Sequence, residues 1–154
     1  MKHPLDLKIN PPLQMLISVL LIYITAQLLP VSTALLAYQW PLSSAFLVLG
    51  LFFNMAGGTS FRTAKTTGNP NRPHMASKLV TSGVYQFTRN PMYIGLIFLL
   101  LTWAMWLGSV FSLLIIVFFQ QYITRFQIIP EERALEKRFP EQFAPYCQQV
   151  RRWV

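Results

Sequence analysis

Charge is what this sequence has least of. Only 12% of its 154 residues are Asp, Glu, Lys or Arg, against about a quarter in an ordinary soluble domain. Five are acidic, and all five (Asp6, Glu131, Glu132, Glu136 and Glu141) lie outside the long apolar runs. A carboxylate inside a span is the usual mark of proton-coupled transport, so that activity is disfavoured. Cysteine is nearly absent. A single Cys147 excludes an internal disulfide and a thiolate metal cluster, and with no paired His signature it reads as packed rather than nucleophilic. His3 and His74 have no second ligand at metal spacing, so no metal is expected. No small-residue cleavage signal comes after the first apolar run, which reads against a removable signal peptide. No internal repeat or low-complexity tract is found.

What is present is apolar: 53% of the residues are hydrophobic. The length suits one domain, residues 1–154. A formal net charge of +8 would suggest nucleic acid in a soluble protein. Here the basic residues flank apolar runs, so anionic headgroups and topology explain them more cheaply, and no nucleic-acid partner is expected.

The runs predict an all-α, polytopic membrane helix bundle with four transmembrane helices. The first spans 13–29, between Pro11-Pro12 and Pro30. The second spans 42–65, with Gly57-Gly58 inside it because glycine is tolerated in membrane helices. Met92–Ile129 is 38 residues long and nearly uninterrupted. One straight helix of that length would measure about 57 Å, nearly twice the hydrocarbon core. A helical hairpin fits better, with spans at 92–106 and 109–129 and a tip at Gly108-Ser109. Trp103 and Trp106 then belong at the far interface, with Tyr38 and Trp40.

Orientation comes from the Lys and Arg count. The connections 31–41 and 103–109 contain neither residue. All 13 basic residues fall in the N-terminus, in 57–91, or after Tyr122. The positive-inside rule makes those three segments cytoplasmic, and four spans return both termini to that side. The tail, 131–154, repeats Leu135, Phe139, Phe143, Tyr146 and Val150 at intervals of three or four. That pattern lies on the membrane or on the protein rather than crossing. Pro140 and Pro145 are expected to break it into short pieces, and Arg151-Arg152-Trp153 to anchor its end at the headgroups.

Two polar segments therefore share the cytoplasmic face. One is LVTSGVYQFTRNPMY, Leu79–Tyr93; the other is Glu131-Glu132-Arg133. Gly83 suits a tight turn. Asn90-Pro91 suits a helix start, either as a plain N-cap or as an N-terminus whose free N–H groups bind a carboxylate. Tyr85 and Tyr93 are either interfacial rings or a wall for a cationic or aromatic ligand.

LVTSGVY, RNPMY, the Glu131-Glu132 pair and the tail stripe, in this order across a helical hairpin, resemble the isoprenylcysteine carboxyl methyltransferase and phospholipid methyltransferase superfamily. The resemblance covers about residues 66–154. It implies an integral membrane methyltransferase that uses S-adenosylmethionine, leaves S-adenosylhomocysteine, and takes membrane lipids or another amphiphilic small molecule as acceptor. Carried over, the cofactor contacts fall on Lys78, Leu79, Val80, Tyr85, Asn90, Pro91, Met92, Tyr93 and Glu131. Arg89, Glu132 and Arg125 are the catalytic candidates. Arg89 either holds an anionic group or pairs with Glu132, and snorkelling alone also accounts for Arg125.

Two positions depart from the prenylcysteine branch. Asn90 replaces the His of RHPxY, so no general-base role transfers to it. Gln127 stands where that branch has an Arg holding the substrate carboxylate, leaving Gln127 and Arg125 as the substrate-binding candidates. A neutral amide clamps a carboxylate poorly, which argues against that acceptor. The rivals are a non-enzymatic four-span lipid-binding or transport protein, and a membrane reductase using a nicotinamide cofactor, with Arg62 and Arg72 holding its phosphates.

Overall fold

A computed structural model describes residues 6–69 and 73–154. The readings for His3 and Arg72 lie outside the described residues, as does the side chain of His74. Every regular element among the described residues is helical. α1 (Pro11–Leu28) begins on Pro11, where a missing N–H costs nothing, and ends two residues before Pro30. α2 (Thr33–Ala37) is a short helix in the connection, with the Ser32 hydroxyl accepting from Leu35 N–H. α3 (Gln39–Thr63) starts before Pro41 rather than after it. Proline is tolerated there because first-turn N–H groups have no partner inside the helix.

The long apolar run folds as the expected hairpin. α4 (Pro91–Trp106) ends at Gly108, whose φ of +62° makes the reversal. α5 (Ser112–Ile123) leads the chain back. It does not stop at the predicted end. A π turn at Thr124–Ile128 carries it into α6 (Ile129–Arg138), giving 27 continuous helical residues.

Three helices, Pro11–Leu28, Gln39–Thr63 and Ser112–Arg138, are long and apolar enough to cross a membrane, and Pro91–Trp106 is a shorter apolar helix. Their exposed faces are themselves apolar, from Leu16 and Leu20 to Val48, Phe52 and Phe118. An exposed apolar surface of that extent is the signature of an integral membrane protein.

α3 and α4 are antiparallel and nearly touch. A Cβ on Gly50 would lie 3.2 Å from the Gly95 carbonyl oxygen, and one on Gly95 would run into the Asn54 amide. Small buried residues Ser43, Gly50 and Gly57 repeat along that face of α3, so backbone contact replaces side-chain packing. α1 and α5 close the other side around Ile22, Leu100, Ile116 and Ile123.

The far end differs from expectation at one tryptophan. Trp106 does meet Trp40 edge-to-face, with centroids 4.6 Å apart. Trp103 instead turns inward, donating its indole N–H to the Val19 carbonyl at 3.3 Å. A buried indole needs an acceptor, and α1 supplies one.

The tail also departs from its reading. α7 (Pro140–Gln149) starts at Pro140 as expected, but Pro145 sits inside it without breaking it. The apolar stripe of Phe143, Tyr146 and Val150 is buried against Leu79 and Leu135, so it lies on the protein. The terminal segment packs likewise: Trp153 joins the main core, and Arg152 is ion-paired.

Candidate functional site

The loop 79–90 is a scaffold of hydrogen bonds. Gly83 has φ +63°, and a Cβ there would be 3.0 Å from the Ser60 hydroxyl. The turn therefore presses on α3, which is what glycine permits. The 3₁₀ turn Gly83–Gln86 buries Tyr85. Its ring meets Phe61 edge-to-face at 5.4 Å, and its carbonyl accepts the Tyr146 hydroxyl at 2.7 Å. Burial holds the Tyr85 and Tyr146 phenols well above their ordinary range, so both remain proton donors at neutral pH. Burial also raises the Cys147 thiol, which disfavours its nucleophilic thiolate form.

Arg89 and Glu132 pair, as one reading of the sequence had it. Arg89 Nη2 lies 2.9 Å from Glu132 Oε1. Arg89 Nη1 donates to the Cys147 and Val150 carbonyls at 3.1 and 2.9 Å. Arg152 grips the other side of Glu132, Nη2 to Oε2 at 2.7 Å. Asn90 occupies the N-cap position of α4, but its side chain caps nothing. Its amide N–H donates instead to the Arg152 carbonyl at 2.9 Å, while Pro91 starts the helix. These contacts sew the end of the tail to the loop. Sequence reasoning missed Arg152, because a terminal Arg-Arg-Trp reads as a membrane anchor.

Glu131 is the centre of the site. Its oxygens accept the Tyr93 hydroxyl at 3.1 and 3.0 Å and the Gln127 amide at 3.3 Å. Gln127 is fully buried one turn before Glu131, so it positions that carboxylate from behind. Tyr93 is buried on the first turn of α4.

In front of Glu131 lies a cavity of about 340 Å³, within the usual range for small-ligand sites. Lys78, Leu79, Val80, Tyr85, Asn90, Met92 and Tyr93 line it from the loop side, and Glu131 and Glu132 from the tail side. Arg89 also lines it, and its Nε is buried with no hydrogen-bond partner among the described residues. Pro91 and Gln127 do not line the cavity. Nor does Arg62, which is exposed on α3.

Arg125 is not at this site. It is exposed and lines a separate cleft between α1 and α5. The physical reason is the π turn. In an unbroken α-helix, residues 125 and 132 would lie seven apart and share a face. The wide turn at 124–128 rotates α5 relative to α6.

The structure adds residues that sequence reasoning passed over: Asn54 and Phe61 on α3, Leu96 on α4, and Phe143 and Tyr146 on α7. Asn54 carried a usable signal, being an amide within an apolar helix. Tyr146 was visible only as part of the amphipathic stripe.

The fold and site together define an integral membrane protein with a cavity walled by a half-buried carboxylate at one end of a helix bundle. The chain belongs to the phospholipid methyltransferase family, which matches residues 38–142. It is also 41% identical over 63 residues to an uncharacterised protein of Haemophilus influenzae, a stretch that is 41% of this chain and all of that protein. No solved structure matches it.

Proposed function

We propose that this protein transfers a methyl group from S-adenosylmethionine to an amphiphilic lipid acceptor at the cytoplasmic face of a membrane. The observation that carries the reading is Glu131. It is an acceptor held by Tyr93 and Gln127 at the wall of a cavity, in a chain of the phospholipid methyltransferase family.

The residues present fit the cofactor's chemistry. Glu131 can accept from ribose hydroxyls or an ammonium, and the unpartnered Arg89 Nε can donate to a carboxylate. Tyr85 and Phe61 give an aromatic wall suited to a heterocycle or a cation. Bound there, S-adenosylmethionine would supply an electrophilic methyl already activated by its sulfonium. The protein is then left with positioning and with excluding water. The apolar walls, Leu79, Leu96 and Ile128 among them, serve the second task.

Four crossings, with Pro91–Trp106 as the third, would account for the distribution of basic residues, and that distribution supports a cavity at the cytoplasmic surface. At 16 residues this helix is about 24 Å long. That is short of a roughly 30 Å core, and its ends are held by the hairpin tip and the loop.

Isothermal titration of the purified protein with S-adenosylhomocysteine tests the reading. Binding is expected. Tyr93→Phe should weaken it about five- to ten-fold by removing one hydrogen bond to the carboxylate, and Glu131→Ala should abolish it. No heat from the unmodified protein, or heat with NADPH instead, would overturn the proposal. Labelled-methyl transfer into a membrane lipid extract then identifies the acceptor class.

A further inference from the structure

The second cleft shares no lining residue with the cavity before Glu131. It is a groove open to the surface between α1 and α5, which run antiparallel, with a volume of about 690 Å³. It is mostly apolar. Most of its polar side chains, Gln14, Gln121, Tyr122 and Arg125, gather toward the loop end, with Ile9 and Phe126 among them; farther along Ile17, Leu21, Ile115 and Phe118 line it around Ser18. From Ile115 to Arg125 is about 15 Å at the helical rise, roughly half a hydrocarbon core. That is the depth of one leaflet.

Two polar groups on its walls are specific. Arg125 is exposed, lies 5.8 Å from the Phe126 ring centroid, and no acidic residue lines the cleft. Gln14 is buried on α1, 7% exposed. Its amide N–H is committed to the Ile9 carbonyl at 2.7 Å, and its Oε1 has no hydrogen-bond partner among the described residues. A buried amide oxygen without a donor is costly. The cleft thus offers a cation on α5 for a phosphate and, on its α1 wall, an unpaired acceptor for an ammonium or hydroxyl.

We propose that this cleft holds one phospholipid from the adjoining leaflet, apart from the reaction cavity. The phosphate sits at Arg125, the hydroxyl or ammonium of the headgroup donates to Gln14 Oε1, and an acyl chain lies along Ile17, Leu21 and Phe118. An acyl chain supplies the apolar length and a phosphodiester the charge, which neither a soluble anion nor a neutral lipid does together. The role is binding, with no covalent step.

Native mass spectrometry of the detergent-purified protein, titrated with phosphatidylethanolamine, provides the test. Saturating S-adenosylhomocysteine is present throughout. One tightly held lipid is expected, and diacylglycerol, which lacks the phosphate, should not replace it. Arg125→Gln should weaken retention about ten-fold, as should Gln14→Leu, while Asn54→Leu in the other cavity should leave it unchanged. Arg125 is exposed, so that variant should fold even if Gln14→Leu does not. S-adenosylhomocysteine binding, measured separately by titration, should survive Arg125→Gln whether or not the lipid does. Equal retention by Arg125→Gln and the unmodified protein, or equal binding of diacylglycerol, would sink the proposal. So would loss of the lipid in Asn54→Leu alone, which would assign it to the reaction cavity.

Discussion

At the scale of single residues, the centre of the site is two adjacent glutamates with different tasks. Glu131 meets neutral partners, Tyr93 and Gln127, and lines the cavity. Glu132 meets two cations, Arg89 and Arg152, and holds the wall together. The resemblance already set Glu131 apart as the cofactor contact and offered Glu132 as a partner for Arg89; what the sequence did not show was the second cation on Glu132, Arg152. The two cations are not equivalent, since the Arg89 side chain is 12% exposed and that of Arg152 37%. Glu132→Ala leaves the more buried cation unpaired and should cost about 3 kcal/mol of stability. Arg152→Ala removes the exposed partner and should cost about 1 kcal/mol. Thermal unfolding in detergent measures the difference; equal losses would mean that the Arg152 pair carries the whole contribution of Glu132 and the Arg89 pair none.

At the scale of elements, hydropathy located the helices well and their faces poorly. The hairpin and its Gly108 tip were readable because a 38-residue apolar run cannot cross once. The π turn was unreadable, since five residues of wide helix leave no mark in composition, and so nothing in the sequence separated Arg125 from the residues that line the cavity. Asn54 was lost for a related reason: averaging over an apolar run hides one amide. The α3–α4 contact carries its own prediction. A Cβ on Gly95 would meet the Asn54 side chain and the Gly50 backbone, whereas one on Gly58 would meet nothing within 4 Å. Gly95→Ala should therefore lower the unfolding temperature. Gly58→Ala should leave it unchanged or raise it slightly, since alanine is favoured over glycine by about 1 kcal/mol within a helix.

At the scale of the whole molecule, the charge asymmetry makes a prediction about sidedness. Val110 lies beside the hairpin tip and Lys137 at the end of α6, both exposed. In a Cys147→Ala background, an impermeant maleimide applied to intact cells should label Val110→Cys. Lys137→Cys should react only after the membrane is opened. Labelling in the reverse order would invert the orientation while leaving the bundle intact. The architecture itself was largely visible beforehand, because a bilayer constrains apolar length and basic flanks more tightly than water constrains a soluble core.

The closure of the tail on the loop has a thermodynamic consequence. Its hydrogen bonds join residues 58 to 64 positions apart, Arg89 to Cys147 and Thr88 to Arg152. They bridge two segments separated by the entire hairpin, so the cavity exists only once that long loop of chain has closed. A molecule that occupies the cavity then binds the closed chain and not the open one. By mass action, a ligand at a hundred times its dissociation constant adds about 2.7 kcal/mol to that closure. Any ligand of the cavity would then belong among the forces that hold the tail to the middle of the chain.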